Sequence, residues 1–222
     1  MRAAVILTHN RNELLRRCID AVCAQVSHIV VIDNGSSPRV TRDVTGPCVR
    51  TLIYDPTQPP NLAQLMNDGL DVVARWAQEQ SADAWDVAIL CDDVAPAPNW
   101  FDSVRNCMRL HNCVAGSTHQ AIPVTAPIVK LQPDRDIYNR MQGSAFIMAG
   151  ETGLRADERM HWWWQDTDVD WQARLAGGMV IAPGPVVVNS QPNHFTNLRP
   201  ELSERAGLDG LVFEQKWGFR PW

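Results

Sequence analysis

The sequence predicts an α/β protein with a mostly parallel central sheet flanked by helices. Three observations carry this reading. Short apolar runs recur at Ala3–Leu7, Ile29–Ile32, Cys48–Tyr54 and Asp86–Leu90, helically spaced stretches lie between them, and polar or turn-forming residues close each run. Continuously apolar strands suit a sheet covered on both faces. Strand–helix–strand repeats then make the strands parallel.

The elements follow in order. After Ala3–Leu7, residues Leu14, Leu15, Cys18, Ile19, Val22 and Val26 share one face of a helix. Ile29–Ile32 ends in Asp33-Asn34-Gly35-Ser36-Ser37-Pro38, a cluster of turn formers. Pro59-Pro60 stops the third strand, and Asn61 is placed to cap a helix whose apolar face carries Leu62, Leu65, Met66, Leu70, Val73 and Ala77. The fourth strand breaks at Cys91-Asp92-Asp93. Beyond it the pattern predicts a short helix from Pro96 toward Leu110, strands at Ala121–Leu131 and Ser144–Met148, and a helix at Asp166–Leu175 ended by Gly177-Gly178. Short strands at Val180-Ile181 and Val186–Val188 and a docked helix after Pro200 complete the chain.

The chain has 222 residues and a net charge of −5, with no Lys/Arg-rich block. One large domain with a sizeable core is expected, and non-specific nucleic-acid binding is a poor match. The apolar run after Met1-Arg2 is too short for a signal peptide, and nothing approaches the about 20 apolar residues of a membrane span. The six cysteines include no C-x-x-C pair. The expectation is reduced thiols in a cytoplasmic protein.

In such sheets ligands bind beyond the carboxyl ends of the strands, where the segments after Leu7, Ile32 and Leu90 fall. Asp92-Asp93 offers hard oxygen ligands suited to Mg²⁺ or Mn²⁺ on a phosphate-bearing substrate. The plainer reading is a solvated loop with a capping acid. Asp33 suits a hydrogen bond from a base or ribose, and equally an Asx-type turn. Trp162-Trp163-Trp164 cannot all face a core, so at least one is expected at a cleft, where aromatic faces suit sugar rings; packing is the alternative. Asp166 suits a general base or a helix N-cap, and Asp168 is favoured by the helix dipole. His194, in Gln191-Pro192-Asn193-His194, is a surface histidine unless the chain returns it to Asp93 as a metal ligand.

Together these segments resemble the family 2 glycosyltransferases of the GT-A fold over nearly the whole chain. Val5-Ile6-Leu7-Thr8-His9-Asn10-Arg11 resembles the family's first strand and nucleotide loop, and Val30-Val31-Ile32-Asp33-Asn34-Gly35-Ser36-Ser37 its second strand and turn. Asn61 to Gly69 is similar to its N-x-G-x-x-x-N-x-G helix start, with Ala63 in place of glycine. Cys91-Asp92-Asp93 aligns with the metal-binding D-x-D, Gly143-Ser144-Ala145-Phe146 with the strand beneath the acceptor site, and Gln165-Asp166 with the Glu-Asp motif. Arg174-Leu175-Ala176-Gly177 and Lys216-Trp217-Gly218 are also similar to family motifs.

The resemblance implies one GT-A domain: a nucleotide-binding half over 1–95, an acceptor and catalytic half over 96–199, and a docking tail over 200–222. It implies an inverting transfer from a UDP- or dTDP-linked hexose or rhamnose-type donor. Thr8, Asn10, Arg11, Asp33, Asn61 and Asp92 would hold the donor, and Asp93 with His194 a Mn²⁺ or Mg²⁺ ion on the diphosphate. Asp166 would be the base, with Trp162, Trp163, Trp164 and Gln165 on the acceptor side. The acceptor hydroxyl would belong to a glycan, a lipid-linked sugar, a protein or another carrier, a nucleic acid being disfavoured by the acidic charge. Two departures matter: Cys91 stands where D-x-D has its first acid, and Gln165 replaces the usual Glu. They keep open a non-catalytic nucleotide-sugar or glycan binder of the same fold. The loop after Leu7 has no glycine, which argues against a nucleotidyltransferase or an NAD-binding oxidoreductase.

Overall fold

A computed structural model describes residues 1–119, 123–136, 138–184, 188–189 and 199–220. Its frame is set by β1 (Arg2–Thr8), β2 (His28–Asp33), β3 (Val49–Tyr54) and β4 (Asp86–Cys91), all parallel. The register pairs Thr8 with Asp33 and Leu7 with Cys91, so the chain leaves all three strands along one edge of the sheet. Helix α1 (Asn12–Cys23) returns from β1, and α3 (Leu62–Glu79) joins β3 to β4. A single helical turn, α2 (Arg42–Thr45), falls before β3.

The remaining strands and α-helices among the described residues are β5 (Val94–Ala95), α4 (Trp100–Leu110), β6 (Ala115–Thr118), β7 (Ile128–Lys130), β8 (Ala145–Ala149), α5 (Gln165–Ala176), β9 (Met179–Ala182), β10 (Val188–Asn189) and α6 (Pro200–Trp217). The main sheet has the order β3-β2-β1-β4-β8-β6-β9-β7, while β10 pairs with β5 beside it. Only β8 and β7 run against the rest. The expected mostly parallel α/β sheet is therefore present.

Alternate residues of each strand enter opposite cores. Ala4, Ile6, Val31 and Leu90 pack with α1 and α4; Ala3, Val5, Ile32 and Ile89 pack with α3 and α5. The central strands are covered on both faces, as their unbroken apolar sequences require. Gly69 lets α3 approach closely: a Cβ there would lie 2.4 Å from Val5 Cγ1. A smaller aromatic core, with Trp164 and Trp171 packed on Phe213, holds α6 against α5.

Several expectations need correction. β6 was not anticipated, because Ala-Gly-Ser-Thr carries no apolar run; its burial comes from its place between β8 and β9. Within the stretch expected as a strand from Ala121 to Leu131, only Ile128–Lys130 forms one, and residues 121–122 lie outside the described residues. Of Val186–Val188, only Val188 is described, as the start of β10. The expectation of six reduced thiols fails for one pair: Cys23 and Cys48 form a disulfide, their Cα atoms 6.0 Å apart. The end of α1 and the start of β3 bring them together across 25 residues, a separation no short cysteine motif reveals.

Candidate active site

The loops after β1 and β2 are tied to each other. Asn34 N–H donates to Thr8 O at 2.9 Å, Asn10 N–H to Ser36 Oγ at 2.8 Å, and Ser37 N–H to Asn10 Oδ1 at 2.6 Å. Asn10 takes a left-handed conformation, with φ 57°, a backbone state that asparagine tolerates better than most residues. Asp33 is fully buried and accepts from Ser36 N–H and Val40 N–H, both at 2.9 Å. Its carboxylate thus builds the turn beside Asn10. A surface cleft of ≈ 350 Å³ opens here, lined in part by Asn10, Arg11, Ser37 and Pro38.

The acidic pair joins this system from β4. Thr8 Oγ1 donates to Asp92 Oδ2 at 2.7 Å. Arg11 Nη1 spans both acids, 3.1 Å from Asp92 Oδ1 and 3.2 Å from Asp93 Oδ2. Burial pushes the Asp92 carboxyl above its usual range, Asp93 adds to this, and Thr8 and Arg11 act against it. The two acids are not equivalent: Asp93 Oδ1 is buried without a hydrogen-bond partner.

Divalent-metal fit rests on that atom. Among the described residues no group of three or more His, Cys, Asp or Glu side chains converges on one point. His194 lies outside the described residues. A Mg²⁺-type ion nevertheless commonly takes one or two carboxylates and completes its shell with water and substrate phosphates. The unsatisfied oxygen of Asp93 suits one such bond, and Arg11 stands where positive charge is already favoured. At Cys91, where the first acid of D-x-D would stand, burial and then Asp93, Asp92 and Asp166 push the thiol well above the usual range, with Arg11 acting against them.

The backbone links this segment to the one beside Asp166: Cys91 N–H donates to Ser144 O at 2.9 Å. Asp166 sits in the first turn of α5, half-buried, with its carboxylate against Gly143. Arg140 donates to Thr167 Oγ1 at 3.2 Å, beside the same carboxylate. Gln165 Oε1 is buried without a partner.

Helix α3 braces the approach to α5. Asn61 accepts from Gln64 N–H at 3.1 Å, the expected cap, and its amide donates to Glu158 O at 2.9 Å. Asn67 pairs with Ala156 in both directions. Leu62 N–H donates to His161 O at 2.6 Å. Of the three tryptophans, Trp164 is buried in the aromatic core, Trp163 packs against that core half-buried, and Trp162 is half-buried. Asp168 is fully buried and takes hydrogen bonds from Trp217 Nε1 at 2.9 Å and Gln172 Nε2 at 2.8 Å, with Lys216 Nζ 2.7 Å away.

Sequence reasoning missed Gly143 as the neighbour of Asp166, Arg140 beside it, and Asp209 on α6. Asp209, flanked by Leu208 and Gly210 in a stretch read only as a docked helix, carried one weak signal: an acid amid small and apolar residues.

A mixed sheet of this order, with an acidic pair at the carboxyl end of β4, is the GT-A architecture. Residues 3–144 match the model of the family described as Glycosyl transferase family 2, and the chain belongs to that family. Among solved structures it is similar to TarS of S. aureus. It matches the crystal structure of TarS with TM-score 0.60 and 9% identity, covering 96% of this chain and 42% of that one. It matches TarS 1-349 with TM-score 0.58 and 8% identity, covering 96% and 69%. For TarS 1-349 in complex with UDP-GlcNAc the values are 0.62 and 9%, covering 96% and 66%. At these identities the likeness is one of fold, and this chain spans less than half of the longer TarS chain. No curated protein sequence matches it. Among the described residues no helix is long and apolar enough to cross a membrane.

Proposed function

We propose that this protein is an inverting glycosyltransferase that moves a sugar from a UDP- or dTDP-linked donor to an acceptor hydroxyl. One observation carries the reading: the Asp166 carboxylate lies against Gly143, and the next residue, Ser144, accepts the Cys91 N–H at 2.9 Å, so Asp166 and the Asp92–Asp93 pair stand on adjoining segments. Family membership and the nucleotide sugar bound to the similar TarS structure support it.

In this reading Thr8, Asn10, Arg11 and Asn61 hold the nucleotide end, with Asp33 shaping the loop and Asp92 near the ribose or donor sugar. Asp93, with His194, would hold Mn²⁺ or Mg²⁺. Such an ion, when bound, neutralises the leaving diphosphate. Asp166 accepts the proton of the acceptor hydroxyl. That oxygen attacks the anomeric carbon, and the bond to the diphosphate breaks on the opposite face, releasing the nucleoside diphosphate and inverting the centre. Trp162, Trp163 and Gln165 border the acceptor, a hydroxyl of a glycan, lipid-linked sugar, protein or other carrier, and the buried Trp164 supports them from behind. A nucleic acid fits the net charge of −5 least well.

The test is nucleoside diphosphate release from UDP- and dTDP-linked hexose and rhamnose-type donors, with manganese and after chelation. Release that disappears in Asp166→Asn supports the reading. A product with retained anomeric configuration overturns the inverting mechanism. Donor binding without release, with or without metal, favours a non-catalytic binder, the reading that Cys91 and Gln165 keep in play.

A further inference from the structure

Three consecutive backbone N–H groups in the segment leading to Asp166 converge on one side chain of the C-terminal helix. His161 N–H donates to Asp209 Oδ1 at 3.1 Å, Trp162 N–H to Oδ2 at 2.7 Å, and Trp163 N–H to Oδ2 at 2.9 Å. Arg205 Nε, one turn earlier on α6, donates to Oδ1 at 2.9 Å. Asp209 is fully buried, so these bonds replace its water entirely. The next residue, Trp164, is held by the same helix: its Nε1 donates to Ala206 O at 3.2 Å, and its ring packs on Phe213 at 5.0 Å. Gly210 makes that approach possible, since a Cβ there would lie 3.1 Å from Trp164 Nε1. Trp164 has φ 74° and opens α5, with Asp166 two residues on.

We infer that Asp209 is a positioning residue for the acceptor side of the site, fixing the Trp162–Trp163 loop and, through Trp164, the first turn that carries Asp166. The inference rests on the glycosyl transfer proposed above. The argument is one of connectivity and satisfaction. A loop crossing from Met160 to α5 has N–H groups that no helix or strand takes up. One buried carboxylate supplies acceptors for three of them and is itself balanced by Arg205. Loss of an acceptor there frees a loop whose neighbour is the reacting carboxylate, and small displacements of reacting groups are costly in rate.

The experiment uses the full chain with Asp209→Asn, which keeps the volume but turns one acceptor oxygen into a donor facing N–H groups. Leu202→Ala, which removes buried apolar surface from the same helix, is the control for lost stability alone. Two readouts are taken: hydrogen exchange at the amides of His161, Trp162 and Trp163, and the kcat and KM of donor hydrolysis. The expected result for Asp209→Asn is faster exchange at those amides with the β1 and β4 amides still protected, kcat lower by about tenfold or more, and donor KM within about twofold. Leu202→Ala should leave kcat near wild type. Unchanged exchange at the three amides overturns the inference, as does freed exchange with unchanged kcat, or an equal fall in kcat in Leu202→Ala. If the wild-type protein releases no nucleotide, the proposed function fails, and the exchange readout still decides whether Asp209 holds the loop.

Discussion

Gly143 lies directly against the Asp166 carboxylate: a Cβ built on it would stand 1.9 Å from Oδ2 and 2.6 Å from Cγ. The segment before β8 can therefore carry no side chain there without moving the proposed base. Gly143→Ala should lower kcat by about 10²-fold, as expected for a misplacement near 1 Å, while donor affinity stays near wild type. Steady-state kinetics beside calorimetric donor titration check this. Wild-type kcat in the variant would mean that Asp166 is not the group whose position matters.

Asp166→Asn keeps the shape of the first turn of α5 and removes the proton acceptor. Turnover should fall about 10²–10⁴-fold, the usual contribution of a general base. Donor binding should persist, because the proposed donor-side groups Thr8, Arg11 and Asp92 are tied to one another. Turnover within a few-fold of wild type would remove Asp166 from the base role.

Arg11 and a divalent cation would compete for the acids at the end of β4. Asp93→Ala should abolish the manganese dependence of donor binding, whereas Arg11→Gln should tighten manganese binding in the absence of nucleotide. Calorimetry with manganese alone, then with donor, measures both. Equal donor affinity with and without metal in the wild type would end the metal assignment.

Asp92 predicts a pH dependence of stability. Its folded-state pKa is raised, chiefly by burial, so the folded protein holds this proton more tightly than the unfolded chain does. The destabilisation is present in full above the folded pKa and is relieved as pH falls through it toward the ordinary carboxylate range. Asp92→Asn should therefore melt at a higher temperature than wild type near neutral pH, with the gap closing on acidification. A gap that widens on acidification would contradict the assignment.

Asp170 and Arg174 form a buried ion pair, with Nε–Oδ1 at 2.8 Å and both side chains essentially inaccessible. Asp170 also accepts Met141 N–H, tying α5 to the segment before Gly143. Burial raises the Asp170 carboxyl and Arg174 works against this. Arg174→Ala strands the acid and should cost about 3–5 kcal/mol. The loss should lessen as pH falls and Asp170 takes up a proton, which denaturant titrations at several pH values would detect.

Much of the first half was legible because its signals are local. The turn formers from Asp33 to Pro38, the capping Asn61 and the apolar runs at Val5, Val30 and Ile89 each act over a few residues. The second half was less legible. β6 has neither apolar run nor alternation and is buried only because β8 and β9 flank it. The Asp168–Trp217 hydrogen bond there and, in the first half, the Cys23–Cys48 disulfide join segments with no shared local pattern.

The sequence by itself determined the strands and helices of the first half, the turn at Asp33, the break of β4 at the acids, and the place of Asp166 at the start of a helix. Periodicity and turn chemistry are short-range properties, readable along the chain. Only the tertiary structure decided what those residues touch: Thr8 on Asp92 across 84 positions, Trp163 on Asp209 across 46, and Gly143 on Asp166. Hydrogen bonds and close contacts depend on distance in space, and that distance is set by strand order and helix packing rather than by separation in sequence.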